Sequence, residues 1–327
     1  MPGSPQRSPK PVRRAALITH GKPSTIGPAL ERLENVAREA GVELLLPDEE
    51  VAKHGVGEPD QDLTTADLAI VLGGDGTMLR ALQRFLSTNI PVIGVNFGRV
   101  GFLASIQANE LESGLARAFS GDYRIVELTT LDVEVAGLRS AAVNDVVVLS
   151  GTRGRMVELA WSLGGEDLGV QPCDGMICAT PTGSTAYNLS NGGPVLVRGL
   201  DAMAVTFIAP HSLHARPMVV PRGLDLEIRN QTPDVNVAVL VDGHAMADVL
   251  HEPIVIRLGS NGVFSPPSPR GRSSGVIARP SAPDPHAPLD DGAGRAGRLP
   301  SRRACSAACV SPTSFSSTTP SLASRPV

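Results

Sequence analysis

Short apolar runs alternate with a helical pattern in the first 120 residues. The apolar runs lie at residues 15–19, 42–46, 68–72 and 91–95. Each is short and rich in branched side chains, which predicts a buried strand. Apolar residues recur at helical spacing over residues 24–40, and again from Met78 onward. Strands that alternate with helices predict a parallel sheet with helices on its faces.

The pattern changes near Tyr123, after which β-rich runs follow one another without a long helical pattern. These runs occupy residues 124–135, 141–149, 157–163, 176–179, 205–208, 224–228, 235–241 and 254–258. Gly, Pro, Asn and Asp separate them, which is typical of a β-sandwich. We therefore predict the fold class α/β plus all-β, with an N-terminal Rossmann-like parallel α/β domain at residues 15–123 and a β-sandwich domain at 124–264.

Both ends of the chain lack such periodicity. Residues 1–14 and 265–327 are rich in Pro, Ser and Arg and have few apolar residues. Such segments cannot bury enough surface to order themselves, so we predict that both are disordered. The abrupt change in composition after Phe264 also suggests an out-of-frame or divergent ending.

Composition excludes several classes of protein. A formal charge of −4 gives no sign of nucleic-acid binding, and no 18-residue apolar run predicts a membrane span. The N-terminal residues contain no apolar core of a secretory signal. The four cysteines have neither metal-site spacing nor a disulfide framework. We expect a cytoplasmic protein with reduced thiols.

The run at 68–72 leads directly into the motif GGDGT at residues 73–77 and then into a helical pattern. Glycines at the start of a helix suit a phosphate, because the helix N-terminus presents N–H groups and a partial positive charge. A carboxylate repels phosphate, so Asp75 fits a group that accepts a proton from a hydroxyl, orients it or holds a metal. The alternative is that Asp75 only caps the helix.

A second polar constellation lies in the β-rich region. Residues 174–194 read DGMICATPTGSTAYNLSNGGP, in which hydroxyl residues and glycines surround Tyr187. Such a segment favours a polyhydroxylated ligand held against an aromatic wall. The pair Asn144 and Asp145 can hold a ribose diol, or can form a plain turn. Arg80 and Arg155 are candidate phosphate partners, or solvated surface arginines.

In this order, GGDGT, NFGRVGFLA from Asn96, the Asn-Asp pair, TPTGSTAY and APHSLHARP at 209–217 resemble the NAD kinase family. GGDGT is shared with diacylglycerol, sphingosine and phosphofructokinase-like kinases, whereas TPTGSTAY points to NAD kinases. The resemblance covers roughly residues 15–258. It implies phosphoryl transfer from ATP, or from polyphosphate, to the 2′-hydroxyl of the adenosine ribose of NAD, which gives NADP.

The resemblance also implies roles for individual residues. Asp75 is the expected catalytic base or hydroxyl-orienting group. Asn144 and Asp145 are expected at NAD ribose hydroxyls, Asp174 at the nicotinamide side, and Arg80 and Arg155 at phosphates. The full set of expected substrate-binding residues is Gly76, Arg80, Asn144, Asp145, Arg155, Asp174, Thr182, Thr185, Ala186, Tyr187, Asn188, Leu189 and Ser190.

The same resemblance implies Mg²⁺ held mainly by substrate phosphates, since no protein metal cage is visible in the sequence. The expected partners are NAD, ATP or polyphosphate and further copies of this chain in a homo-oligomer, with no nucleic acid or membrane. Two alternatives stay open, namely an NAD-binding protein without kinase activity and a lipid or sugar kinase of the same superfamily. An NAD dehydrogenase is disfavoured because no G-x-G-x-x-G motif follows a strand.

Overall fold

The computed structural model describes residues 10–20, 23–55, 58, 61–86, 88–97, 106–212, 214–259 and 263–265. The predictions of disorder for residues 1–9 and 266–327 lie outside the described residues, as does the NFGRVGFLA loop beyond Phe97.

In its described residues the N-terminal domain contains one parallel sheet and four α-helices. Its elements are β1 (Arg14–Thr19), α1 (Pro23–Ala40), β2 (Glu43–Leu45), α2 (Asp48–His54), β3 (Leu68–Gly73), α3 (Asp75–Arg84), β4 (Val92–Asn96), β5 (Ile106–Gln107) and α4 (Leu111–Phe119). The strand order is β2-β1-β3-β4-β5, and all neighbours are parallel. In the sheet, β2 lies on one side of β1 and β3 lies on the other. The carboxyl ends of β1 and β3 therefore flank a topological switch point, where ligands bind in such sheets.

Strand β3 is buried along its whole length, because helices cover both faces of the sheet. Leu68, Ile70 and Leu72 face the core that α1 and α4 share. Ala69 and Val71 face the opposite core, to which α3 contributes. The central apolar run at 68–72 is therefore confirmed as a buried parallel strand.

The C-terminal domain consists of antiparallel strands in two six-stranded sheets. The strands are β6 (Val126–Leu128), β7 (Leu131–Val135), β8 (Leu138–Ala142), β9 (Asp145–Ser150), β10 (Val157–Leu163), β11 (Glu166–Cys173), β12 (Gly175–Ala179), β13 (Ala202–Ile208), β14 (Met218–Pro221), β15 (Leu226–Asn230), β16 (Val237–Val241), β17 (His244–Val249), β18 (Ile254–Leu258) and β19 (Val263–Ser265). One short helix, α5 (Tyr187–Ser190), lies between β12 and β13. The sheet orders are β11-β10-β15-β18-β7-β8 and β14-β13-β12-β9-β16-β17, and β6 pairs separately with β19.

One apolar core joins the two large sheets. Val133 of β7 and Ile256 of β18 pack in the same cluster as Val148 of β9 and Met176 of β12. The far face of the second sheet is covered by the segment after β12, through Leu196. The predicted α/β domain followed by a β-sandwich is confirmed.

The structure corrects two predictions near the domain ends. Residues 10–14 are ordered, since Val12 is buried and its N–H donates to Phe119 O at 2.9 Å, so disorder there was wrong. The predicted disorder of 265–327 is likewise wrong at its first residue, because Ser265 is the last residue of β19. In the structure β19 pairs with β6, and Leu128 of β6 packs in the core of α3.

Several elements were missed by the sequence analysis. The helices α2 and α4 and the strands β11, β14 and β17 were not predicted. Cys173 and Cys178 are buried free thiols. Among the described helices none is both long and apolar enough to cross a bilayer.

Candidate active site

Residues 73–77, which we call the loop half of the site, join β3 to α3 at the switch point. Helix α3 begins at Asp75, and the N-cap residue is Gly74, which makes no side-chain cap. The interpretation of Asp75 as the N-cap residue is therefore wrong, because Asp75 already lies in the first helical turn.

The three glycines of the loop half have different surroundings. A Cβ at Gly73 would come 2.6 Å from Oγ1 of Thr77, so internal packing requires a glycine there. A Cβ at Gly74 or Gly76 would meet no described atom within 4 Å. The described part of the fold does not require these two glycines for space, which leaves room for a ligand beside the backbone.

Arg80 lies one helical turn beyond Asp75 and is exposed. Its Nη2 donates to the carbonyl of Thr19 at 3.4 Å, at the end of neighbouring β1. The N–H of His20 donates to Leu72 O at 2.9 Å, which holds the ends of β1 and β3 together. Arg80 therefore lies at the same sheet edge as Asp75.

A buried polar cluster that the sequence analysis missed supports this edge. Glu50 of α2 accepts the Thr19 N–H at 3.0 Å and Lys53 Nζ at 2.7 Å, and its Oε2 lies 3.3 Å from His54 Nε2. Burial by itself raises the pKa of Glu50, but hydrogen bonds from Lys53 and Thr19 outweigh burial and lower it overall. The buried glutamate fixes the end of β1.

The second part, which we call the sandwich half of the site, consists of residues 143–145 and 180–194. Strands β9 and β12 are paired so that Asp145 lies opposite Ala179. Thr180 then donates its N–H to Asn144 O at 2.9 Å and its hydroxyl to Val143 O at 2.7 Å. The structure therefore brings the Asn-Asp pair and the TPTGSTAY segment together.

Gly183 makes this contact possible. A Cβ there would lie 2.0 Å from the carbonyl oxygen of Asn144, which is far closer than atoms can approach. The requirement for glycine at this position is steric.

The two side chains of the Asn-Asp pair are unusual. Asn144 Oδ1 is buried and, among the described residues, has no hydrogen-bond partner. Burial, and secondly the nearby charge of Asp242, raise the pKa of Asp145 to about 7. An unpaired buried acceptor costs about 1–3 kcal/mol, so a ligand that donates a hydrogen bond to Asn144 recovers this energy.

The expected nucleoside-binding residues differ in exposure. Tyr187 and Leu189 are 42% and 48% exposed, and Ser190 is also exposed. Thr182, Thr185 and Ala186 are partly buried at the turn that leads to α5.

Asn188 is fully buried, and its amide is used within the protein. Its Nδ2 donates to the carbonyls of Ser184 at 3.1 Å and Pro194 at 3.0 Å, and its Oδ1 accepts the Thr206 hydroxyl at 2.7 Å. Its side chain therefore holds the segment in shape, in contrast to the expected direct contact.

Asp174 and Arg155 lie outside the sandwich half of the site. Asp174 is exposed immediately before β12, and Arg155 is exposed in the loop after β9. Because β9 and β12 are antiparallel, both residues are at the opposite end of this strand pair from Asn144, about 20 Å away along strands that rise about 3.3 Å per residue. Neither residue lies next to Asn144, and their expected roles at the nicotinamide side and at phosphates stay predictions.

Asp242 is a site residue that the sequence analysis missed. Its carboxylate accepts the backbone N–H groups of residues 143–145 and the side-chain amide of Gln83 on α3. The letters VDGH suggest only a hairpin turn, and no sequence signal revealed this role.

A glycine-flanked carboxylate at the switch point of a Rossmann-like sheet, joined through Gln83 and Asp242 to a polar segment of a β-sandwich, is the arrangement expected of a kinase that acts on a small hydroxylated molecule. Residues 48–123 match the ATP-NAD kinase N-terminal domain, and residues 143–262 match the ATP-NAD kinase C-terminal domain. The chain belongs to the NAD kinase family.

Individual relatives agree with the family match. The chain is 36% identical to the NAD kinase of Aromatoleum aromaticum, over 77% of this chain and 90% of that relative. It is 38% identical to that of Symbiobacterium thermophilum, over 70% of this chain and 84% of that relative. The match to the Heliobacterium modesticaldum enzyme is 41% identical and spans 55% of this chain and 66% of that relative.

Two solved structures have the same fold. An NAD kinase from Archaeoglobus fulgidus in complex with ATP superposes with a TM-score of 0.65 at 28% identity, over 77% of this chain and 92% of that chain. Yeast NADH kinase complexed with NADH gives a TM-score of 0.70 at 24% identity, over 79% of this chain and 84% of that chain.

Proposed function

We propose that this chain transfers the terminal phosphoryl group of ATP to the 2′-hydroxyl of the adenosine ribose of NAD and so forms NADP. The observation that carries the proposal is the link between the two halves of the site. Asp75 begins α3, and Gln83 of the same helix donates to Asp242, which holds the backbone of Asn144. A carboxylate and a ribose-binding amide are thus coupled through one rigid helix.

In this proposal Asp75 accepts the proton of the 2′-hydroxyl or orients that hydroxyl toward the donor phosphate. The hydroxyl oxygen attacks the terminal phosphorus, the bond from phosphorus to the bridging oxygen breaks, and ADP leaves. Room beside Gly74 and Gly76 admits the donor phosphates, and Arg80 neutralises part of their charge.

The sandwich half holds NAD. The orphaned Oδ1 of Asn144 accepts a ribose hydroxyl, and the carboxyl group of Asp145 binds beside it. The exposed ring of Tyr187 supplies an aromatic wall for the nucleoside, with Thr185 and Ser190 within the same segment.

NAD kinases use a divalent metal, and we propose Mg²⁺ for this chain. In the described part of the chain no group of three or more His, Cys, Asp or Glu side chains is arranged to hold a cation. An ion whose ligands are mostly phosphate oxygens and water needs few protein ligands. When bound, the ion would neutralise charge on the transferring phosphoryl group.

We further propose that the chain works as a homo-oligomer. Asp174 and Arg155 lie at the far end of the strand pair, so a second copy is a source of these residues for a neighbouring site. The cytoplasmic location stays a prediction.

The test is to incubate the protein with NAD, ATP and Mg²⁺ and to measure NADP with an NADP-specific dehydrogenase. NADP formation that depends on all three is the expected result, and polyphosphate in place of ATP tests the other donor. Calorimetric binding of NAD without NADP from either donor would favour an NAD-binding protein without kinase activity. ATP consumption with a lipid or sugar but not with NAD would favour the other kinases of the superfamily.

A further inference from the structure

Asp242 follows β16 at the turn into β17 and has an uncommon environment. Its carboxylate belongs to a residue only 6% exposed, and its backbone φ is +48°, a left-handed conformation that is rare outside glycine and Asn or Asp. A strained residue with a buried carboxylate persists only where surrounding interactions hold it.

Four N–H donors surround this carboxylate. Oδ1 accepts the backbone N–H of Asn144 at 2.7 Å and of Asp145 at 3.0 Å. Oδ2 accepts the backbone N–H of Val143 at 2.8 Å and the side-chain amide of Gln83 at 2.9 Å. The N–H of Asp242 in turn donates to Asp145 O at 2.9 Å. Hydrogen bonds to a charged acceptor are stronger than neutral ones, so this turn is held firmly.

The fourth donor comes from the other domain. Gln83 lies on α3, eight residues after Asp75. Because a helix has a fixed rise per residue, α3 sets the distance between the Gln83–Asp242 hydrogen bond and the loop half. Val143 packs in the same core as Met78, Ala81 and Leu82 of α3 and Phe85 directly after it. A hydrogen bond and an apolar contact therefore join α3 to the turn before β9.

We propose that Asp242, through Gln83, is a positioning residue that sets Asn144 relative to Asp75. The inference rests on the proposed function, since it assumes that Asn144 binds the acceptor and Asp75 acts on its hydroxyl. Phosphoryl transfer depends mainly on positioning, so a shift of about 1 Å between the halves lowers the rate roughly 100-fold.

The Gln83 bond can be removed without touching the turn. Gln83→Leu deletes the donor but leaves the three backbone hydrogen bonds of Asp242 in place. We expect kcat to fall roughly 10- to 100-fold, while the dissociation constant of NAD measured by calorimetry stays within about twofold. Gln83→Lys keeps a donor on a flexible stem and should recover most of the lost kcat.

Asp242→Asn acts on the sandwich half itself. Asn tolerates the left-handed backbone, so the change removes the charge and one acceptor with little added strain. We expect NAD affinity and kcat to fall together, each roughly tenfold or more. The contrast between the two variants separates positioning from binding.

Arg84→Leu is the matched control. Arg84 is the next residue of the same helix and pairs with Glu49 of α2, within the first domain. Its loss should leave kcat and NAD affinity within about twofold, because exposed ion pairs contribute about 0–1 kcal/mol.

Wild-type kinetics in Gln83→Leu, or a loss of thermal stability without a change in kcat, would overturn the inference. So would a kcat defect in Arg84→Leu as large as that in Gln83→Leu. Failure of the proposed function is recognised separately, because the wild-type protein would then make no NADP. NAD binding can still be measured by calorimetry if the wild-type protein makes no NADP. Unchanged NAD binding in Asp242→Asn would then overturn the role of Asp242.

Discussion

The two halves of the site use glycine for opposite purposes. In the loop half, a Cβ at Gly74 or Gly76 would meet no described atom within 4 Å. In the sandwich half, a Cβ at Gly183 would lie 2.0 Å from Asn144 O, and one at Gly193 would lie 2.0 Å from Oδ1 of Asn188. One half leaves space beside the backbone for a ligand, whereas the other brings its own segments into contact so that polar side chains are held in place.

The hydrogen bonds show the same contrast. Asn188 of the sandwich half, and Asp242 beside it, use their polar side-chain atoms for partners within the protein. Asn144 Oδ1, by contrast, is buried without a described partner. A pre-organised pocket with one unsatisfied acceptor is suited to select a substrate, and an open loop is suited to admit a charged donor.

The largest expected effect comes from removing the carboxylate of the loop half. Asp75→Asn should lower kcat by roughly 10²- to 10⁴-fold, because it removes the group that accepts or orients the hydroxyl proton. NAD affinity should stay within about threefold, since the sandwich half is untouched. Steady-state kinetics with calorimetry measure both, and near-normal turnover would remove Asp75 from the mechanism.

Substituting one glycine in each half of the site tests the comparison between the halves directly. Gly183→Ala should lower the free energy of unfolding by about 3 kcal/mol or more, because the new Cβ overlaps a backbone oxygen that cannot move freely. Gly76→Ala should leave stability unchanged or raise it by up to about 1 kcal/mol, since Ala is the better helix former.

The same two variants should also differ in ligand binding. Gly76→Ala is expected to weaken ATP binding although it stabilises the helix. Urea denaturation and calorimetry measure the two effects. Equal stability losses in the two variants would contradict the distinction between an open and a close-packed half.

The smallest effect concerns the pH dependence of stability. The pKa of Asp145 is raised to about 7 in the folded protein, whereas an unfolded Asp titrates near 3.8. Between these values the folded state holds a proton that the unfolded state has lost, so the free energy of unfolding falls as pH rises and levels off above the folded pKa. Asp145 should contribute a loss of about 2 kcal/mol between pH 5 and pH 7, at about 1.4 kcal/mol per unit.

Asp145→Asn removes this titration with almost no change in shape. Its melting temperature should be close to that of the wild-type protein near pH 4.5 and higher than it at pH 8. Thermal melts across this range give the difference at each pH. Parallel curves for the two proteins would show that burial beside Asp242 does not raise the pKa of Asp145.

Local patterns were sufficient to predict most of the fold. Strand β3 is buried on both faces, so an unbroken apolar run identified it without knowledge of its neighbours. The buried residues of α3 recur at helical spacing and were identified in the same way. Exposed elements could not be identified from apolar periodicity. Strand β11, for example, contains Gly169 and Pro172 and is mostly exposed at a sheet edge.

The site was only partly predictable because its assembly depends on pairing between distant segments. GGDGT and TPTGSTAY were recognisable as motifs, and in the structure they lie at the switch point of the parallel sheet and against the Asn-Asp pair. The separation of Asp174 from Asn144 depends on the antiparallel pairing of β9 with β12, which no local pattern specifies. The partners of the Asp242 carboxylate lie 97 or more residues away along the chain, so its role could not be deduced from its neighbours.

The pairing of β6 with β19 has a topological consequence. The strands from β7 to β18 leave the first domain after β6 and come back to it at β19. The sandwich is thus an insertion carried on a two-stranded stem, and Leu128 anchors that stem in the core of α3. A body held by two adjacent strands can bend about the stem but resists twisting around it. Bending about the stem would move Gln83 away from Asp242, so the hydrogen bond between these two side chains opposes it.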